Sequence, residues 1–172
     1  MRAERESETA LWPFALRNQA RGAVRIIIDA DACPRGAFEA AARLARQAGA
    51  ELTTVANFNH EIASEHHITV GGDPQEADLK IINLTRAGDV VVTQDIGLAA
   101  MALAKGARAL SPTGFEYLEE RMDASLEERE LKAKYRRAGG RTKGPAKRTE
   151  ADDRRFAVKL AEMTAAQNKE RQ

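Results

Sequence analysis

The stretch VRIIID at positions 24–29 decides the fold class. A run of β-branched residues without polar alternation is typical of a strand buried on both faces, as in the parallel sheets of α/β proteins. Residues 37–48 then predict a helix that ends at Gly49, and residues 51–56 predict a second strand. Because strand, helix and strand at this spacing form a βαβ unit, we predict a parallel sheet.

The alternation of strands and helices continues to residue 110. Residues 68–70 predict a short strand, and residues 76–86 predict a helix after a glycine turn. The stretch DVVVT at positions 89–93 predicts another buried strand, followed by a helix over 98–105 and a last strand over 107–110. We therefore predict a compact α/β sandwich whose mainly parallel sheet has about five strands.

The two ends of the chain differ in character from this body. Residues 1–22 show no sustained period, and we expect a mobile extension there. A charged helix is predicted from Phe115 to Lys134, then a basic loop over 136–148, and then a helix capped by Thr149 that runs to about residue 166. This gives an extension (1–22), an α/β domain (23–134) and a basic loop with a C-terminal helix packed on or extending it (135–172).

Charge is distributed unevenly along the 172 residues, although the net charge is only +1. Residues 1–128 hold 13 Lys and Arg against 20 Asp and Glu, whereas residues 129–172 hold 14 against 6. A basic segment of this kind favours an anionic partner. No apolar run approaches the ~20 residues that a membrane span needs, so we predict no membrane association. A single cysteine favours a cytoplasmic protein without a disulfide framework.

Carboxylates follow two of the predicted strands. Asp29 and Asp31 come at the end of the first, and Asp95 follows Thr93 just after the fourth. Because the carboxyl ends of parallel strands face a shared crevice, we expect these side chains to lie close together. Asp78, in the first turn of a predicted helix, is expected to project toward the same crevice.

Clustered carboxylates repel one another and select hard divalent cations, so the pattern predicts a Mg²⁺ or Mn²⁺ site that supports phosphoryl transfer. The structural alternative is that an aspartate after a strand only caps a helix or forms a turn. Thr93 similarly orients a water or a phosphate, or fills a strand position. Cys33 is interpreted as a packed small residue rather than a nucleophile, and the three histidines as ordinary solvated or hydrogen-bonded residues.

Eight short motifs follow one another in a single order from the first strand to the final helix. They are IIIDADACP (26–34), VANFNH (55–60), ADLKI (77–81), VTQD (92–95), GLA (97–99), GARALSP (106–112), RAGGRTKGP (137–145) and DDRRF (152–156). In this order they resemble the bacterial YaiI/YqxD family of uncharacterised proteins. Residues 1–22 depart from that family, whose members begin near the first strand.

The resemblance implies a PIN-like domain, a three-layer α/β sandwich that many metal-dependent ribonucleases share. By this resemblance Asp29 is the acid after the first strand and Asp95 the acid after the fourth. Asp78 is an acid from an intervening helix, and Asp31 a supplementary ligand.

The leading hypothesis is a Mg²⁺- or Mn²⁺-dependent nuclease acting on RNA, with Asp29, Asp78 and Asp95 as ligands and with Asp31 and Thr93 assisting. Backbone N–H groups around Gly139 and Gly140 are expected to add anion contacts. The basic segment is expected to bind phosphates through Arg136, Arg137, Arg141, Lys143, Lys147 and Arg148.

Two alternatives stay open. The Asp29-x-Asp31 spacing also fits a haloacid-dehalogenase-like phosphatase with Asp29 as nucleophile. Cys33 and the lack of a clear lysine motif before Asp95 argue against that class. The other alternative is a non-catalytic nucleic-acid-binding module, in which the basic segment binds and the acidic residues are structural.

Overall fold

A computed structural model describes residues 23–57, 64, 66–144 and 146–170. The extension expected over residues 1–22 lies outside these residues, as does His60. Within the described residues there are six strands and five helices. The strands are β1 (Arg25–Asp29), β2 (Glu51–Asn57), β3 (His66–Val70), β4 (Val90–Val92), β5 (Arg108–Leu110) and β6 (Glu116–Tyr117). The helices are α1 (Arg35–Ala48), α2 (Pro74–Leu84), α3 (Ile96–Ala104), α4 (Glu119–Arg137) and α5 (Glu150–Glu170).

The strands form one sheet in the order β3-β2-β1-β4-β5-β6. The first five run parallel, which confirms the predicted parallel sheet, and β6 adds an antiparallel edge. This two-residue strand lies where a helix from Phe115 was expected, and that expectation was wrong, because α4 begins only at Glu119. An ion pair of 2.7 Å between Arg108 and Glu116 joins β5 to β6.

Alternating residues of β1 enter two separate cores. Ile26 and Ile28 pack with α1 and α5 on one face of the sheet. Ile27 packs with α2 and α3 on the other face, against Ile81 and Leu98. Helices therefore cover both faces, as the buried β-branched run requires. The fold is a three-layer α/β sandwich with a mostly parallel sheet, as expected of a PIN-like domain.

The C-terminal helix α5 belongs to the core. Phe156, Leu160 and Met163 recur at helical spacing and are fully buried against β1, β4 and α1. The helix begins after Thr149, the predicted N-cap. The Asp152 carboxylate accepts hydrogen bonds from the Thr149 N–H (2.8 Å) and hydroxyl (2.9 Å). The apolar face of α5 thus completes the layer that α1 begins.

The central pair of strands, β1 and β4, is joined by polar side chains at both ends. At the amino ends, the Arg25 guanidinium pairs with the buried Asp89 carboxylate and donates to the Leu84 carbonyl (2.9 Å). Ile28 lies opposite Val92, so the next residues along, Asp29 and Thr93, are neighbours at the carboxyl ends. This arrangement fixes the relative register of the two strands.

Candidate functional site

The sheet contains a switch point between β1 and β4. From β1 the chain passes first to β2 on one side and only later to β4 on the other. In open α/β sheets the carboxyl edge at such a point forms a crevice in which ligands bind. The predicted acidic residues Asp29, Asp78 and Asp95 belong to the elements that border this edge.

Asp29 and Thr93 lie side by side at the carboxyl ends of β1 and β4. Both are buried, and they follow Ile27 and Val91 by two residues, so they face the α2 and α3 side of the sheet. The Thr93 hydroxyl donates a hydrogen bond of 2.8 Å to Asp29 Oδ2. One carboxylate oxygen of Asp29 is thereby held in place. Among the described residues, Asp29 Oδ1 accepts no hydrogen bond.

Asp95 has a structural role beside any functional one. Its Oδ1 accepts hydrogen bonds from the N–H groups of Gly97 (2.6 Å) and Leu98 (3.0 Å), which caps α3. The Asp95 N–H donates to the Thr93 hydroxyl oxygen at 3.0 Å. All hydrogen bonds to this carboxylate within the described part of the chain fall on Oδ1, so Oδ2 is the oxygen without a partner there.

Asp31 and Asp78 lie near enough to Asp29 for their charges to influence its pKa. The backbone N–H of Asn57, the last residue of β2, donates to both carboxylate oxygens of Asp31, with N···O distances of 3.1 and 3.0 Å. Asp78 lies one turn into α2, whose start is capped by Asp73. The four aspartates thus lie on or next to elements that border one edge of the sheet, near enough for their charges to influence the pKa of Asp29.

The four carboxylates interact electrostatically. Burial raises the pKa of Asp29 to about 6, and the negative charges of Asp78, Asp31 and Asp95 contribute in the same direction, whereas the Thr93 hydrogen bond opposes the shift. Burial and the charges of Asp95 and Asp31 also raise the pKa of Asp78. Both pKa values rise mainly because burial disfavours the charged carboxylate, and the neighbouring negative charges add to that effect.

The aspartates do not form a compact coordination set. Within residues 23–57, 64, 66–144 and 146–170, no three His, Cys, Asp or Glu side chains come together as a group that could hold a metal ion. The donor atoms nevertheless suit Mg²⁺ and Mn²⁺, since all are carboxylate oxygens. The metal site stays a prediction, supported by the donor chemistry and the raised pKa values.

Arg129 is a crevice residue that sequence reasoning missed. It projects from α4, where its Nη1 lies 3.5 Å from Asp95 Oδ1, and its charge lowers the pKa of Asp78. Tyr117 is a second missed residue, and its hydroxyl donates to the Thr93 carbonyl at 3.2 Å. Nothing in the charged pattern of α4 distinguishes Arg129 from its exposed neighbours.

The predicted phosphate-binding residues fall into two groups. Arg136 and Arg137 were expected in a loop, but they form the last turn of α4; together with Arg141, Lys143 and Lys147 they are exposed. The sixth, Arg148, is used within the chain instead. Its guanidinium donates to the Pro112 carbonyl (2.6 Å) and pairs with Asp153 (2.6 Å).

The expected anion contacts from the backbone at Gly139 and Gly140 were wrong. The Gly139 N–H donates to the Arg136 carbonyl (3.0 Å), and the Gly140 N–H donates to the Tyr135 carbonyl (3.0 Å). These bonds satisfy the last carbonyls of α4, with Gly139 in the left-handed region at φ 87°. The glycines therefore terminate the helix.

Cys33 has the properties of a packed residue. Burial raises the pKa of its thiol to about 12, so the thiolate is scarce at neutral pH. It packs against the core that α1 and α5 share. A nucleophilic role for Cys33 is thus disfavoured, as the sequence indicated.

The fold defines a class of protein, a PIN-like α/β sandwich, and aspartates border the carboxyl edge of its sheet at the switch point. The model of the uncharacterised YaiI/YqxD family matches residues 27–166, and the chain belongs to this family. No solved structure matches the chain. Across the described residues, no helix has both the length and the apolar character that crossing a membrane requires.

Three relatives illustrate the family. A UPF0178 protein of Heliobacterium modesticaldum is 56% identical over 137 residues, covering 80% of this chain and 94% of the relative. A UPF0178 protein of Clostridium kluyveri is 42% identical over 142 residues (81% and 92%). A third, from Clostridium tetani, is 39% identical over 140 residues (80% and 94%).

Proposed function

We propose that the chain is a cytoplasmic, Mg²⁺- or Mn²⁺-dependent nuclease that hydrolyses phosphodiester bonds in RNA. One observation carries the proposal. The buried Asp29 at the switch point feels the negative charges of three other carboxylates, Asp31, Asp78 and Asp95. A divalent cation would relieve this repulsion and draw the carboxylates together. Burial of a carboxylate among like charges is costly for stability, so a bound counter-ion gives the arrangement a purpose.

Each aspartate has a separate task in this proposal. Asp29, Asp78 and Asp95 would hold the ion, and Asp31 would assist from the β2 side. Thr93 restrains Asp29 Oδ2, so that Oδ1 is the oxygen left to bind. An ion bound there would supply a water molecule of lowered pKa and positive charge to stabilise the phosphoryl group.

Positive charge on α4 complements the acidic crevice. Arg129 lies beside Asp95, and the same helix ends at the exposed Arg136 and Arg137. Exposed Arg141 and Lys143 continue the positive charge into the loop. This series of cations would hold a polyanion that the crevice alone would repel, and contacts with phosphates carry little sequence preference.

The test is cleavage of a fluorescein-labelled single-stranded RNA in Mg²⁺, in Mn²⁺ and in EDTA. Asp29→Asn and Asp95→Asn are the informative variants, because asparagine keeps the contact with Thr93 and the cap of α3. We expect each to lower the cleavage rate at least about 100-fold, as removal of other electrostatic stabilisers does. Glu39→Gln is the control, since Glu39 is exposed and pairs with Arg35 on α1, which covers the opposite face of the sheet.

Other outcomes would contradict the proposal in distinct ways. Unaltered cleavage by Asp29→Asn would exclude its role as an ion ligand. Phosphate trapped covalently on Asp29 would favour the phosphatase. RNA binding without cleavage in either ion would favour the non-catalytic module.

A further inference from the structure

We infer that Phe115 is a stacking platform for a base of single-stranded nucleic acid, beside the acidic crevice. The inference deepens the proposed function and rests on it in one respect, the choice of nucleic acid as ligand. Few aromatic residues accompany the basic segment, so its sequence gives no sign of base stacking. Phe115 lies outside that run in sequence, in the turn that follows β5 at the carboxyl edge of the sheet.

Phe115 lies in the turn of residues 111–115, between β5 and β6. The Thr93 N–H donates to the Leu110 carbonyl (3.1 Å), and the Ser111 N–H donates to the Phe115 carbonyl (2.8 Å). The backbone of Phe115 is therefore two strand spacings, roughly 10 Å, from that of Thr93. Both residues lie at the carboxyl edge of the sheet, and the contact with Arg155 of α5 places the ring toward the α1 and α5 side of that edge.

The turn is held rigidly in its conformation. Arg155 Nε donates to the Thr113 carbonyl (2.9 Å), and Arg148 donates to the Pro112 carbonyl (2.6 Å). Gly114 has φ +87°, and a Cβ there would lie 2.5 Å from the Phe156 backbone nitrogen. The start of α5 thus presses against the turn. A preformed ring loses little conformational entropy when a ligand binds.

The ring itself is presented to solvent. Phe115 is 60% exposed, although its neighbours Leu110, Ser111 and Pro112 are buried. The guanidinium of Arg155 lies over the ring, 4.2 Å from its centroid. An aromatic ring backed by a guanidinium plane is the kind of surface on which unpaired bases stack.

The charges around the platform are paired within the chain. Arg155 pairs with Asp152, and Arg148 pairs with Asp153. Contact here should therefore release few counterions, unlike contact with the exposed arginines of α4. Stacking at Phe115 is expected to add affinity without adding salt dependence.

The experiment measures binding of labelled oligouridylate of 12 nucleotides, and of an abasic strand with the same number of phosphates, in EDTA over a range of salt. Phe115→Ala removes the ring, and Phe115→Leu keeps apolar bulk without a π face. We expect both variants to bind oligouridylate about 5- to 150-fold more weakly, with the slope of log K against log salt unchanged. Phe115→Trp should bind at least as tightly as the parent chain.

Val158→Ala is the matched control, because Val158 is similarly apolar and exposed (59%) on α5. The inference is overturned if Phe115→Ala binds like this control, if the abasic strand loses affinity equally, or if the parent chain binds neither strand. None of these results depends on cleavage. If the stacking inference fails, metal-dependent hydrolysis that is lost in Asp29→Asn would still support the nuclease proposal. Conversely, a lack of hydrolysis would not affect the result on stacking.

Discussion

The Thr93 hydroxyl donates to Asp29 Oδ2 at 2.8 Å and accepts from the Asp95 N–H at 3.0 Å. One small side chain thereby joins the ends of the two central strands to the start of α3. The hydroxyl also stabilises the ionised form of a carboxylate that burial and three like charges oppose. Thr93 is thus a positioning residue for Asp29.

Thr93→Val should raise the pKa of Asp29 further above 6, because valine keeps the shape and removes the hydrogen bond. An NMR titration of the Asp29 carboxyl carbon measures this pKa directly. Thr93→Ser retains the hydroxyl and should titrate near the parent value. If the pKa of Asp29 in Thr93→Val also stays near the parent value, the hydroxyl does not stabilise the carboxylate.

Asp29→Asn should increase stability at pH 7 to 8 in EDTA. In the folded chain the pKa of Asp29 is about 6, against an ordinary value of 3.8, so between these values the folded state binds more protons than the unfolded state. The contribution of Asp29 to the free energy of unfolding therefore falls as pH rises from about 4 to 6, by up to about 3 kcal/mol, and is constant above.

Urea unfolding of Asp29→Asn and the parent chain from pH 4 to 8 checks this prediction. The two curves should nearly meet at pH 4 and diverge as pH rises to 6, with the variant more stable. Glu39→Gln should run parallel to the parent chain, because Glu39 is exposed on α1. A constant difference between Asp29→Asn and the parent chain at all pH values would contradict the assigned pKa.

Replacing both Arg137 and Arg141 with Ala should flatten the salt dependence of RNA binding. If each contacts one phosphate of a single strand, the slope of log K against log salt should fall in magnitude by about 1.4. Arg43→Ala with Arg46→Ala is the charge-matched control, since both arginines are exposed on α1. Equal slopes for the two double variants would show a non-specific effect of net charge.

Arg148→Ala should destabilise the fold rather than weaken RNA binding selectively. The substitution removes the hydrogen bond to the Pro112 carbonyl and leaves Asp153 without its ion pair. We expect a loss of about 1–3 kcal/mol in the free energy of unfolding. Lys147→Ala, one residue away and exposed, should be close to neutral. Equal stability of both variants would count against the structural role.

The strand ends were predictable from sequence because two rules coincide there. A β-branched run identifies a buried parallel strand, and the polar residue that ends it must lie at the carboxyl edge. Asp29 and Thr93 follow such runs, so their positions in the sequence already predict that they are neighbours. The capping box at Thr149 was equally readable, because its hydrogen bonds are local in sequence.

Features that depend on distant packing could not be predicted. Arg129 is one charge among many on a largely exposed helix, and only the packing of α4 on α3 turns it toward Asp95. The two residues of β6 are too few to show a period. In sequence Arg148 is indistinguishable from its basic neighbours. Its structural role depends on the Pro112 carbonyl and on Asp153, which only the fold brings beside it.

The Arg25–Asp89 pair and the Thr93–Asp29 bond lie at opposite ends of the same two strands. A slip of one residue would break both contacts and turn every side chain to the wrong face. Because register is set at the ends, the Ile and Val residues between need only fill volume. We therefore expect this interior to accept exchanges among Ile, Val and Leu with modest loss of stability. An engineer could redesign the hydrophobic layer while keeping the carboxylates where they are.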